Sequence, residues 1–282
     1  MNIRTDLAVE SFPDDSLPEG VHRDIRGKFF DITEITIDDD SCLESIGKGR
    51  GTYITFEGGS LSRFSDDYDG MAMELADELR RLIPEGDILV AGLGNSDITP
   101  DAVGPQTVSR VLATRHLREE LSQDGDPFLT SLRPVSAIAG GVLGQTGIET
   151  AELLRAISEQ IKPAGIIAVD ALACSDISRL GTTIQLTDSG ISPGSGVSNA
   201  RRELSERLFG VPVIAIGVPT VVDVRTIVRS LTGIEPHSGL PDIMVTPRDI
   251  DRLTERASQL IAFGINLALH PSLTLDDVKG LF

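Results

Sequence analysis

Short apolar runs alternate with longer segments of 3.6-residue periodicity along most of the chain, which predicts strand and helix by turns. The helical pattern "GMAMELADELRRLIP" ends at Pro84. Then come "DILVAGLG" as a strand, "GPQTVSRVLATRHLREEL" as a helix, "PVSAIAGG" as a strand and "GIETAELLRAISEQIK" as a helix stopped by Pro163. "AGIIAVDALA" is almost continuously apolar, as a strand covered on both faces requires. "TTIQLTDSGI" and "VPVIAIGVPTVVD" supply two more strands. "TPRDIDRLTERASQLIAFGINLALH" reads as a closing helix, with Thr246 as N-cap and Pro247 at its first position. The expected fold is α/β, a twisted and mainly parallel sheet with helices on both faces. The first 70 residues are acidic and turn-rich. There "ITEITIDDDS" and "GTYITFEG" alternate as half-exposed strands, so residues 1–70 are expected to form an N-terminal segment with a small antiparallel β element beside an α/β domain at 71–282.

In such sheets, sites lie at the carboxyl ends of strands. Four strand ends carry polar groups: "VAGLGNSDITPDAVGP" with Asp97 and Asp101, "AGGVLGQTGIET", "VDALACSDISR" with Asp170, and "VPTVVD" ending at Asp223. The first resembles a nucleotide loop but puts Asp97 where a dinucleotide fingerprint needs its third glycine, and a carboxylate there repels a pyrophosphate. No GxxxxGK[ST] loop, GxSxG elbow or HExxH spacing is present. Cys174 follows Asp170 by four residues, but no histidine is placed by motif to activate it. A metal held by Asp101, Asp170 and a distant histidine stays open, as does the plain role of strand-end aspartates as helix caps. The chemically sharper reading is a pair. Asp101 and Asp170 both follow parallel strands at one sheet edge, where two carboxyls in reach of each other share a proton and supply a general acid and a general base together. Such a pair activates water against a carbonyl. Asn95 and Thr99 are candidates to orient the first loop. Gln145 and Thr146 lie in a glycine-rich turn whose N–H groups are candidates to face an oxyanion.

Composition narrows the partners. The 282 residues carry 43 acids against 25 bases, a formal net charge of −18, which repels nucleic acid and anionic lipid. Two cysteines, Cys42 and Cys174, are expected as free thiols of a reducing compartment. The first residues, "MNIRTDLAVESF", lack the apolar stretch of a signal peptide, and no run approaches a membrane span, so a cytoplasmic protein is expected.

The chain also resembles a known family. "GLGNSDITPDAVGP", "ATRHL", "RPVSAIAGGVLGQTGIETAELL", "AVDALA", "TTIQLTDSGISPGSGVSNARREL" and "GVPVIAIGVPTVVD" are similar to segments of the germination protease of spore-forming bacteria, as is "IRTDLAVES". The resemblance resumes with "IMVTPRDIDRL" through "GINLALH". It implies an atypical aspartic endopeptidase that degrades small acid-soluble spore proteins in the spore core during germination. It further implies a fold like that of hydrogenase maturation proteases, a homotetramer and no cofactor. By motif the proposed catalytic aspartates fall on Asp101 and Asp170. The family is made as a zymogen with a propeptide, and "RTDLAVE" resembles the pattern cut in its substrates, which implies self-cleavage between Asp6 and Leu7. Two departures stand out: a short segment, "VRTIVRSLTGIEPHSGLPDI", where the family has a longer one, and "SDIT" in place of a bulkier stretch. Two other readings share the residues: a metal-dependent maturation protease of the same fold, and an inactive homologue that binds spore proteins.

Overall fold

The computed structural model describes residues 5–12, 17–39, 48–120, 127–193, 202–234, 241 and 243–282. Among these residues nine strands form one sheet: β1 (Val21–Arg26), β2 (Asp31–Ile37), β3 (Gly51–Glu57), β4 (Ile88–Gly92), β5 (Val135–Ala139), β6 (Gly165–Cys174), β7 (Thr183–Thr187), β8 (Val213–Asp223) and β9 (Met244–Val245). Their order is β1-β2-β3-β7-β8-β6-β4-β5, with β9 on β8. The pairs β4–β5, β4–β6 and β6–β8 are parallel, while β1–β2–β3–β7–β8 run antiparallel. Through the β3–β7 pairing the N-terminal antiparallel strands continue the same sheet.

The helices are α1 (Tyr68–Leu82), α2 (Val103–Val108), α3 (Arg115–Glu120), α4 (Pro127–Ser131), α5 (Leu143–Thr146), α6 (Thr150–Ile161), α7 (Glu206–Phe209), α8 (Val224–Thr232), α9 (Ile250–Leu269) and α10 (Leu275–Leu281). The period-2 alternation of the strands divides the core into two faces. Ile88, Val90, Ile167 and Val169 point into the cluster filled by α1, α2 and α9. Leu89, Ala91, Ile166 and Ala168 point into the cluster closed by Ala151 and Leu154 of α6. Both faces are covered, which is why these strands read as apolar runs.

Two expected helix boundaries change. The segment expected as one helix over "GPQTVSRVLATRHLREEL" is split into α2 and α3. Asn266 of α9 captures the connection, its Oδ1 accepting from Leu112 N–H at 2.9 Å and its Nδ2 donating to the Arg110 carbonyl at 2.8 Å. Thr114 N–H then bonds the Val135 carbonyl at 3.0 Å. The last long helix starts later than its Thr-Pro signal, with Asp249 at the cap position, because the Thr246 hydroxyl instead donates to the Thr220 carbonyl at 2.9 Å.

The feature that positions the site is a mismatch of strand lengths. Strand β4 pairs with β6 only as far as Gly92 opposite Val169, and Leu93 N–H adds one bond to the Val169 carbonyl at 2.8 Å. Strand β6 continues to Cys174, paired with β8 throughout. Beyond Val169, the side of β6 that faces β4 is therefore left by β4 and available to loops.

Candidate active site

The loop after β4 turns on Gly94, which has a φ of +103°; a Cβ there would lie 2.1 Å from the Asp101 carbonyl oxygen. Only glycine accommodates both. The chain then passes Asn95, whose Oδ1 accepts from Asp97 N–H at 2.9 Å, and closes a turn in which Asp101 N–H bonds the Ile98 carbonyl at 2.8 Å. Residues Thr99–Asp101 form a single 3₁₀ turn that packs against β6 and β8. Asn95 N–H donates to Asp101 Oδ2 at 2.8 Å, so the loop holds the carboxylate it carries.

Gly104 brings this turn down onto the sheet. A Cβ on it would meet the Leu93 carbonyl at 2.3 Å and the Val169 carbonyl at 2.4 Å. Asp170, the residue after Val169, is buried; its Oδ1 accepts Ala171 N–H at 2.9 Å. Asp101 and Asp170 thus belong to two elements that meet at the carboxyl end of β6. Asp223, at another strand end, plays the helix-capping part: its side chain accepts Arg225 N–H at 2.8 Å at the start of α8.

Gln145 reaches the loop after β4 through its side chain. Its Nε2 donates to Asn95 Oδ1 at 2.7 Å and to Asp97 Oδ2 at 3.0 Å, linking the loop after β5 to the loop that carries Asp101. Four of the backbone N–H groups of this glycine-rich turn are engaged within it. The N–H groups of Gln145 and Thr146 bond the Val142 carbonyl, that of Gly147 bonds the Leu143 carbonyl, and that of Ile148 bonds Thr146 Oγ1. The Thr146 hydroxyl is likewise occupied within its own loop. Thr99 has an exposed side chain, and its carbonyl closes the turn by accepting Ala102 N–H at 3.2 Å.

Two participants carry no motif in the sequence. Thr220 of β8 is fully buried, and its hydroxyl donates to the Pro100 carbonyl at 2.7 Å, one residue before Asp101. The second is the segment 5–12, which crosses the carboxyl end of the sheet. Asp6 N–H bonds the Ala173 carbonyl at 3.0 Å, and Lys48 Nζ donates to the Asp6 carbonyl at 2.8 Å. Leu7 is fully buried among Leu172, Cys174 and Val222. Burial pushes the Lys48 pKa down, while Asp6 and Glu10 oppose that shift. Burial also pushes the Cys174 thiol up to about 12, with Glu10 and Asp176 adding to it, so this free cysteine is no nucleophile where it sits.

Among the described residues, no three His, Cys, Asp or Glu side chains come together as a set able to hold a metal. His22 pairs with Asp38 at the far edge of the sheet, and His270 is buried at the end of α9. His237 and Cys42 lie outside the described residues. Also among the described residues, no helix is long and apolar enough to cross a membrane.

A family model described as germination protease matches residues 16–237. The chain belongs to the germination protease family. Curated germination proteases of Caldanaerobacter subterraneus and Clostridium tetani are 39% and 38% identical, over 100% and 99% of this chain and 98% and 99% of their own. That of Halalkalibacterium halodurans is 35% identical over 98% of this chain and 96% of its own. The alignment with the Clostridium tetani relative runs over 325 residues, more than the 282 here, so the relative holds segments this chain lacks. Among solved structures, a nickel–iron hydrogenase maturation protease, HycI from Thermococcus kodakarensis, is 20% identical with a TM-score of 0.37, covering 66% of this chain and 96% of that one. The family makes the chain a protease, and the strand-end aspartates lie within the matched residues.

Proposed function

We propose that this protease is an aspartic-type endopeptidase that opens the degradation of small acid-soluble spore proteins in the germinating spore. The observation that carries the reading is the seating of the Thr99–Asp101 turn on the carboxyl end of β6, where Asp170 is buried. Two carboxyls at one buried edge share a proton more cheaply than they ionise together. The ionised member takes a proton from water, and the protonated member gives one to the leaving amine. Asn95 and Gln145 hold the loop in place, and Thr220 holds the turn from below. None of the three needs to touch substrate. The acidic surface suits an enzyme whose substrates it takes in the free state, since it does not compete for DNA.

Self-processing between Asp6 and Leu7 belongs to the same reading. Leu7 is fully buried and Lys48 holds the Asp6 carbonyl, so the segment has to leave its seat before that bond is cut. Assembly as a homotetramer belongs to the same reading, and the exposed apolar side chains near α8, Leu231, Ile234 and Ile243, offer area for a contact between copies. The deciding experiment is incubation of the purified protein with a small acid-soluble spore protein, with fragments mapped by mass spectrometry. Discrete internal cuts that vanish in Asp101→Asn and Asp170→Asn support the reading. Cuts that persist in either folded variant overturn the aspartate assignment, and an uncut substrate overturns the proposed substrate class.

A further inference from the structure

Two arginines without an acid partner stand where three helices meet. Tyr68 opens α1, Arg110 follows α2 and Arg256 lies on α9; α1 and α2 both pack on α9. The Arg256 guanidinium stacks on the ring of Phe64, 4.6 Å from its centroid, and that residue is 85% exposed. Arg256 Nε is buried and meets no acceptor. Arg110 Nη1 donates to the Gln106 carbonyl at 3.1 Å and to Ser258 Oγ at a longer 3.4 Å. Neither arginine makes an ion pair with a described residue, although the chain carries 43 acids. Both act on the Tyr68 hydroxyl. Burial pushes its pKa well up, against the pull of Arg256 and Arg110, so it stays protonated. Its contacts are long, 3.4 Å to the Arg256 carbonyl and 3.4 Å to Gln259 Oε1. Asp69, the acid that adds to this shift, is itself held by Lys279 Nζ at 2.6 Å.

Two half-buried cations beside one hydroxyl repel each other, and burial without a partner is costly for each. What they leave open is all donors: the Nε edge of Arg256, the remaining N–H groups of Arg110 and the Tyr68 O–H. Stacking on Phe64 fixes the plane of the Arg256 fork, which can then give parallel hydrogen bonds to two oxygens of one group. Donors arriving from three side chains suit a tetrahedral oxyanion better than a planar carboxylate. We infer that Phe64, Tyr68, Arg110 and Arg256 form a binding site for a small tetrahedral oxyanion of the phosphate class. Gln259 joins it by turning its amide so that the NH2 faces the anion. The site is independent of the catalytic assignment, for Arg110 lies past the end of α2 remote from Asp101. Its effect is to tie two helices together. Ser258 of α9 already donates to Gln106 Oε1 of α2 at 3.3 Å, and an anion shared by Arg110 and Arg256 reinforces that join. Since α2 continues the turn that carries Asp101, the seating of that turn becomes firmer when the anion is bound.

The test uses the full chain and inorganic phosphate, with binding measured by titration calorimetry and thermal melts run against chloride at equal ionic strength. Phosphate at about 100 times its Kd is expected to raise Tm by about 5 °C or more. Arg256→Gln and Arg110→Gln each remove a charge-assisted donor and are expected to weaken phosphate about tenfold or more. Arg256→Lys keeps the charge without the fork and is expected to weaken it about threefold. Phe64→Ala, at an exposed ring, is expected to do the same by releasing the guanidinium from its plane. Phosphate also stabilises folded proteins by exclusion from their surfaces, and that part of the response survives in every variant. No heat of binding, with a melting response equal in wild type and Arg256→Gln, would overturn the inference. Saturable binding undiminished in both Arg256→Lys and Phe64→Ala, the two mildest changes, would overturn it as well. Phenyl phosphate serves as the second probe. Tighter binding of the inorganic ion supports a small free oxyanion, and the reverse order overturns that source and assigns the same donors to a phosphate ester.

Discussion

The Thr220 hydroxyl donates to the Pro100 carbonyl at 2.7 Å, fastening β8 to the turn that ends in Asp101. The fastening is itself held, since Thr246 donates to the Thr220 carbonyl at 2.9 Å. Removing the hydroxyl while keeping the shape, Thr220→Val, frees the turn by a fraction of an ångström and leaves a buried carbonyl without its donor. Displacement of a reacting group by about 1 Å costs on the order of 10²-fold in rate. Thr220→Val is therefore expected to lower kcat about 10- to 100-fold with KM little changed, and Thr220→Ser to restore it. Steady-state kinetics beside thermal melts check this. A loss shared equally by KM, kcat and Tm would make Thr220 a packing residue only.

For the aspartates, Asn substitution keeps size and removes proton exchange. Asp101→Asn and Asp170→Asn are each expected to lower turnover by about 10²–10⁴-fold. The double variant should be little worse than either single one, because in the proposed pair the two groups act as a unit. Circular dichroism establishes folding, and fragment yield against a spore-protein substrate measures turnover. Additive losses would argue for two independent contributions.

Gly104 tests the seating of the turn. An added methyl would lie 2.3 Å from the Leu93 carbonyl and 2.4 Å from that of Val169, so backbone has to move. Gly104→Ala is expected to cost about 1–3 kcal/mol in urea unfolding and to lower activity beyond that loss. Gly144→Ala is the control: nothing lies within 4 Å of the added Cβ, and stability should be unchanged.

Acid stability should depend on a cluster far from the site. Arg26 and Arg81 pair with Glu34 and Glu78, whose side chains are 15% and 10% exposed. Burial alone would raise both carboxyls, but hydrogen bonds from the two arginines overcome it and hold them below the usual range. A carboxyl lowered on folding stabilises the protein above its unfolded value, about 4.3, and that contribution fades as the pH falls through the folded value. Arg26→Met is thus expected to lower Tm most near neutral pH, with the gap to wild type closing on acidification. A gap independent of pH would show that Arg26 acts through its packing.

The strands were legible because they follow from local rules, and the proposed aspartates were picked out by the same rules. A run such as Ile166 to Val169 can only be a covered strand, and the polar residue at its end falls where α/β sheets place their sites. What stayed hidden depends on partners distant in sequence. Asn266 breaks the helix expected after Pro105 from over 150 residues away. Thr246 looks like a cap until Thr220 is seen to claim its hydroxyl. The glycines of "GQTG" promised backbone donors, yet Gly147 N–H is spent on Leu143, and it is the Gln145 amide that reaches across to Asn95. Glu10 reads as an ordinary surface acid, and nothing near it in sequence announces the Ser175 loop that receives it.

The unequal lengths of β4 and β6 also bear on solubility. A strand that outruns its neighbour presents unsatisfied backbone groups, the template on which foreign chains nucleate cross-strand aggregates. Here the overhang is shielded by Asp6 bonding to Ala173 and by Leu7 covering Leu172 and Val222. Whatever lifts that shield also unmasks an adhesive ledge. Preparations in which the shield has been released should therefore clump sooner on concentration than those in which residues 5–12 stay seated.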